Sequence, residues 1–354
     1  MNNSTYRFFP GGNTANGFFS YYSEITNKNT LKKIYTIKGG PGVGKSTLMK
    51  EIGSLFEKNN SVVYYYHCSS DPRSLDGVYI KDREYLFVDG TSPHIIDPVY
   101  PGVLYELINL ADYLDYDKLK PYKNEIIDLS DRISDTFKTS YSYLRAVKEI
   151  YNNLNFQYEK VLDKVKFFDL TKNLYNKITN SRTGKGYNEQ KLFLSAVTPN
   201  GLVNFLNESI KTKYIYIINS EIGDLSYKIL KNLRTRLILD QFSIKTFYCP
   251  MFPDLKVEHI IIPELDTSIV TSNKYHNYSN GININTEYLY NLSSVDTQTL
   301  ESDRGLIDTL INYSVNNIRK AKILHDLLEE YYKKAMNYDK LNSFNRELLK
   351  SIST

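Results

Sequence analysis

The sequence predicts an α/β fold repeated in tandem, each copy a three-layer arrangement of a parallel sheet between helices, with a long helical hairpin appended. Three observations predict it. An apolar run leads into a glycine-rich turn and then a helical pattern; apolar strands alternate with helical patterns downstream; and a second stretch of chain repeats the first.

The first strand is expected near 32–37, where Ile34-Tyr35-Thr36-Ile37 is apolar and β-branched. Residues Gly39 to Thr47 follow it and read GGPGVGKST, which is G-x-x-x-x-G-K-[ST] in the strand–turn–helix setting that gives this pattern meaning. The glycines let the backbone curl so that successive N–H groups point inward at a phosphate, and the helix from Lys45 to Leu55 aims its positive end at the same place. Gly39, Gly40, Pro41, Gly42, Val43, Gly44, Lys45, Ser46 and Thr47 are therefore the expected cofactor-binding set. Lys45 is the cation for the β- and γ-phosphates, Ser46 offers its hydroxyl to Mg²⁺, and Thr47 faces the α-phosphate. The expected ligand is a nucleoside triphosphate with Mg²⁺, with ATP as the default.

Further strands are expected near 61–67, 78–80 and 84–89. Tyr85-Leu86-Phe87-Val88-Asp89 is an apolar strand ending in a carboxylate, which makes Asp89 the expected metal-side partner of Ser46. The competing reading of Asp89 is a cap on the turn Gly90-Thr91-Ser92. Asp71, in HCSSDPRSLDG, is the candidate acid for orienting an acceptor hydroxyl, with Asp76 second; either also suits a turn cap. Gly90 stands where many ATPases carry a water-polarising glutamate, and neither D-x-x-G nor N-K-x-D occurs here. A GTPase or a fast motor ATPase is thus disfavoured.

From about Tyr105 to Ile178, and again from Leu306 to Ile352, apolar residues recur at three- and four-residue spacing, predicting long amphipathic helices whose stripes could also meet a protein partner. The basic turn Ser181–Gly186 reads as a linker, dividing the chain into 1–186 and 187–354. The second half expects strands near 214–218, 243–249, 259–264 and 267–271. Its repeat of the first holds register: Gly42 and Gly223, like Cys68 and Cys249, lie equally far apart, and His94 and His276 one residue more. Against Gly39, Gly44, Lys45 and Ser46 the second copy has Ser220, Leu225, Ser226 and Tyr227; against Asp71 and Asp89 it has Phe252 and Thr271. The second copy is therefore expected to keep the fold without binding a nucleotide. Cys68 and His94, a conceivable metal or nucleophile pair with His67, persist there as Cys249 and His276, which favours a packing role.

The net charge of +4, from 44 basic and 40 acidic residues, is too mild to point to nucleic acid. No apolar run approaches the ~20 residues of a membrane span, and MNNSTYRFFPGG lacks a secretory layout. Two cysteines without an export signal make a cytoplasmic, reduced protein the expectation.

The stretches GGNTANGF, IKGGPGVGKSTLMKEIG, HCSSDPRSLDGV, VDGTSPHIIDPVYPG and SAVTPNGL give the chain, over nearly its whole length, a resemblance to bacterial tandem phosphate-loop ATPases of unassigned role. The resemblance implies ATP binding and a duplicated phosphate-loop fold. Such proteins can carry a usable loop in both halves, and INSEIGDLSYKIL departs from that. The leading expectation is a slow Mg-ATPase with one site, carried by Lys45, Ser46 and Asp89. The alternatives are a small-molecule kinase using Asp71 or Asp76, and a non-catalytic ATP-dependent sensor or scaffold. Arg234 and Arg236, after the disabled turn, are candidate trans-acting arginines.

Overall fold

A computed structural model describes residues 5–353. The first half runs β1 (Thr5–Phe8), β2 (Gly11–Thr14), β3 (Gly17–Ser20), α1 (Tyr22–Ile25), β4 (Lys33–Lys38), α2 (Lys45–Lys58), β5 (Val63–His67), β6 (Leu75–Ile80), β7 (Tyr85–Asp89), β8 (Tyr105–Asn109), α3 (Tyr116–Leu119), α4 (Lys123–Lys160) and α5 (Lys164–Thr179). The second repeats it: β9 (Glu189–Leu192), β10 (Ser195–Thr198), β11 (Gly201–Asn204), α6 (Leu206–Ser209), β12 (Tyr214–Asn219), α7 (Ser226–Leu239), β13 (Ile244–Cys249), β14 (Phe252–Ile262), β15 (Thr267–Ser272), β16 (Ile282–Ile284), α8 (Thr297–Ala335) and α9 (Tyr338–Ser353).

Each half builds a six-stranded sheet, ordered β1-β5-β6-β7-β4-β8 in the first and, strand for strand, β9-β13-β14-β15-β12-β16 in the second. The sheets are mixed, which corrects the all-parallel expectation: β6 runs antiparallel to both β5 and β7, and β14 to both β13 and β15. The cause is connection length. Too few residues separate His67 from Leu75, and Ile80 from Tyr85, for the crossover of a dozen or more that parallel neighbours need. A second correction concerns Tyr105–Asn109, which is an edge strand paired to β4 rather than the start of a helix. Small hairpins, β2–β3 and β10–β11, fill the stretches that carry the repeated T-x-N-G, each turning at a glycine.

The inner face of the first sheet packs on α2 through Ile37, Phe87 and Val78 against Leu48, Met49, Ile52 and Phe56, all fully or nearly fully buried. That core is closed by residues from the far end of the chain: Met336, Leu341, Leu348 and Ile352 belong to the same cluster. In return α5 packs against α7, with Leu174 and Ile178 joining Leu230 and Leu233. The backbone records the exchange twice over. Asp115 N donates to Ala335 O and Asn337 N to Tyr113 O, while Asn291 N donates to Val161 O and Asp163 N to Leu289 O. Each half's helical hairpin is thus docked on the other half.

Between them α4 and α8 run antiparallel along their length, brought together by apolar stripes such as Leu144, Val147, Tyr151 and Leu154 on one and Ile307, Ile311, Ile318 and Ala321 on the other. Residues that correspond in the two halves meet one another. Phe9 and Phe193 exchange backbone hydrogen bonds of 3.0 and 3.1 Å, Ser140 and Ser314 join hydroxyls at 2.7 Å, and the Lys245 ammonium donates to the Tyr64 hydroxyl at 3.2 Å. Such self-paired contacts are the mark of two-fold packing, here within one chain. Among the described residues no helix is long and apolar enough to cross a membrane.

Candidate functional site

The glycine-rich turn joins β4 to α2 at the end of the first sheet. Gly42 and Gly44 hold φ of +71° and +99°, a region that L side chains rarely adopt, and Gly44 is the N-cap of α2. Val43 is buried in the core beneath the turn and anchors it, while Thr47 is exposed on the first helical turn. Curled N–H groups at a helix start form an anion cradle.

Lys45, with 12% of its side chain exposed, donates to the carbonyls of Gly39 and Gly40 at 2.9 and 2.8 Å, and its Nζ lies 3.7 Å from Asp89 Oδ2. Asp89 reaches that place because β7 is the immediate parallel neighbour of β4, with Ile37 and Asp89 in register at the strand ends. Its other oxygen accepts from Thr91 N and Thr91 Oγ1 at 2.9 and 2.5 Å, so Asp89 both caps the next turn and faces the lysine. Ser46 Oγ accepts from Leu75 N at 3.0 Å. Ser46 and Asp89 are hard oxygen donors of the kind that suits Mg²⁺. Gly90 leaves no room for a side chain: a Cβ there would stand 2.4 Å from Thr36 Cγ2.

Asp71 and Asp76 separate. Asp71 Oδ1 accepts from Arg73 N at 3.1 Å, and Oδ2 accepts from Ser74 Oγ at 3.1 Å, so the side chain closes the β5–β6 turn. Asp76 is buried across the β6–β7 ladder from Asp89, its carboxyl pushed up by that burial, 3.8 Å from His94 Nε2. His94 stacks on Tyr22 at 4.6 Å. The Asp76–His94 pair recurs in the second half as Glu258 and His276, both buried, because Gly77 and His259 hold equivalent register positions. An acid therefore does survive in the second copy, and its survival there ties Asp76, like Cys68 and His94, to the shared fold. Burial raises the Cys68 thiol far from a reactive thiolate. His67 donates from Nδ1 to Pro72 O at 2.8 Å and accepts at Nε2 from Arg7 Nη1 at 2.9 Å, a neutral ring fixed in place.

The corresponding turn of the second half is filled from within. Asp224 stands where the first half has Val43, and its carboxylate accepts from Glu221 N at 2.9 Å, Ser226 N at 3.0 Å and Ser226 Oγ at 2.9 Å. The N-cap of α7 is Leu225 at φ −99°, where Gly44 is left-handed. Above this turn Tyr151, Leu154 and Tyr158 of α4 cluster with Ile222 and Leu225.

Sequence reasoning missed the wall over the first turn, which comes from α8 of the other half. A Cβ on Gly40 would stand 2.6 Å from the Tyr332 ring, and one on Gly42 3.0 Å from Glu329 Cβ. One turn back, His325 Nδ1 is 3.4 Å from Glu329, and burial holds its ring below the ordinary value. Next on this face, Lys322 Nζ lies 3.4 Å from Asp71 Oδ2 and also pairs with Asp326. The signal was present only as polar residues at three- and four-residue spacing, Lys322, His325 and Glu329, on an amphipathic helix. The anticipated trans arginines are engaged elsewhere: Arg234 pairs with Glu189, and Arg236 lies 4.0 Å over the Tyr175 ring.

Comparison of the chain with protein-family models, with curated proteins and with solved structures finds no match.

Proposed function

We propose that this protein binds a nucleoside triphosphate with Mg²⁺, ATP by default, in the turn Gly39–Thr47, and hydrolyses it slowly at this one site. The observation that carries the reading is the contrast between the two turns. In the first, the turn carries Lys45 and Ser46 beside Asp89 and no acid of its own; in the second, the matching turn holds the chain's own Asp224. A turn that takes a carboxylate in one copy has the right donors for a phosphate in the other.

In this reading the turn N–H groups and the start of α2 hold the phosphate chain, and Lys45 leaves the carbonyls of Gly39 and Gly40 to meet it. Ser46 and Asp89 would hold Mg²⁺, which when bound neutralises phosphate charge. Slow turnover fits the want of a glutamate after Asp89, where the packing of Gly90 against Thr36 admits no side chain. Hydrolysis is favoured over transfer to a hydroxyl acceptor because both carboxylate oxygens of Asp71 are spent on closing the β5–β6 turn.

The test is nucleotide binding and product analysis with Mg-ATP, beside a Lys45→Ala control. Lysine-dependent binding with release of ADP and phosphate is expected, and Lys45→Ala should weaken binding by tenfold or more, since a charge-assisted contact is worth about 1.5–3 kcal/mol. Binding that is the same in both proteins would sink the site, and binding without turnover would replace the hydrolase by a sensor.

A further inference from the structure

We propose that Lys322, carried by α8 from the opposite half of the chain, is a ligand for the terminal phosphate of the nucleotide in the Gly39–Thr47 turn, so that each half supplies part of one site. The inference rests on the nucleotide reading above and names a residue that reading does not need.

The placement follows from a chain of contacts. Ser46 accepts from Leu75 N; the neighbouring Ser74 donates to Asp71; and Asp71 Oδ2 faces Lys322 Nζ at 3.4 Å. Lys322 thus stands on the Ser46 side of the turn, the side to which the phosphate chain extends beyond the start of α2. The helix face that bears it is continuous. Tyr332 covers Gly40, Glu329 covers Gly42, and His325 and Lys322 carry the face onward past Lys45. The ammonium is held back from solvent, with 17% of its side chain exposed, between Asp71 and Asp326. A terminal phosphate brings more negative charge than the Asp71 carboxylate and would take its place beside the lysine, the Asp326 pair within α8 being kept.

Because the contact is to the last phosphate, it separates triphosphate from diphosphate. The experiment is calorimetric titration of the full-length wild type, Lys322→Met and Lys322→Arg with ADP and with the non-hydrolysable β,γ-methylene analogue of ATP, each with Mg²⁺. Lys322→Met is expected to lose about tenfold or more in analogue affinity with ADP affinity held within about twofold, and Lys322→Arg to keep most of the wild-type preference. Equal losses for both ligands in Lys322→Met, or no loss for either, would overturn the assignment while leaving the nucleotide reading in place. A wild type that binds neither ligand would overturn both. Should Lys322→Met fail to fold, Lys322→Gln decides in its place: a fall in analogue affinity relative to ADP is expected, and a ratio of the two affinities held at its wild-type value would overturn the assignment.

Discussion

At the scale of the residue, His67 shows how little a side chain's identity says before its partners are known. It sits at the end of the strand that precedes Asp71 and resembles a catalytic histidine in sequence. The fold buries it, and that burial, with the Arg7 guanidinium beside it, lowers it to about 4. The unfolded chain then takes up a proton between pH 6.5 and 4 that the folded chain refuses, so the contribution of His67 is complete above pH 6.5 and lost as pH falls toward 4. His67→Gln can keep both hydrogen bonds without titrating. The drop in unfolding free energy from pH 7 to pH 5, measured in urea, should be smaller in the variant by about 2 kcal/mol. An unchanged drop would place the acid sensitivity elsewhere. Lys45, Ser46 and Asp89 lie on the other side of this divide, because their motif spacing carries their neighbours with it. Asp71 and Asp76 are alike on paper and part only when the β5–β6 turn folds.

At the scale of the element, the two glycine-rich turns illustrate how one backbone plan can be opened or filled. The replacement of Val43 by Asp224 puts an acceptor into the ring of N–H groups, and the replacement of Gly44 by Leu225 fixes the following residue in a conformation any side chain can hold. Asp224→Ala should cost about 2–3 kcal/mol, because two backbone N–H groups and the Ser226 hydroxyl lose their acceptor in a buried place. Chemical denaturation would measure it, and a cost below about 0.5 kcal/mol would mean that the turn holds itself. The variant should gain no stabilisation from Mg-ATP at this turn, where Ser226 and Tyr227 stand for Lys45 and Ser46. Strand existence was legible because apolar β-branched runs recur in both copies. Strand direction in β6 was not, since it is decided by the length of its connections. The hairpins and the edge strands β1 and β8 escaped notice because they are only four or five residues long, too short for an alternation to show.

At the scale of the whole molecule, the exchange of helical hairpins is the dominant fact. The core against α2 contains Met336, Leu341, Leu348 and Ile352, so a fragment of residues 1–186 would leave that apolar face open. Fragment 1–186 expressed alone should be insoluble or lack a cooperative melt, whereas co-expression with 187–354 should return a folded complex. A cooperative transition in the isolated fragment would show that its own elements suffice. The same exchange brings α8 to the first turn, so the wall over that turn belongs to the antiparallel α4–α8 pair.

By itself the sequence determined the duplication, the strand–turn–helix around Lys45, the pairing of that turn with Asp89, and the loss of its polar groups in the second copy. These are local patterns, and a local pattern needs only its neighbours to be read. Which half each helix would cover, which acid would fill the second turn, and which distant lysine would stand beside the first were decided only in three dimensions. They depend on contacts between residues far apart in the chain, made because two incomplete cores bury more apolar surface by trading helices than either half could bury alone.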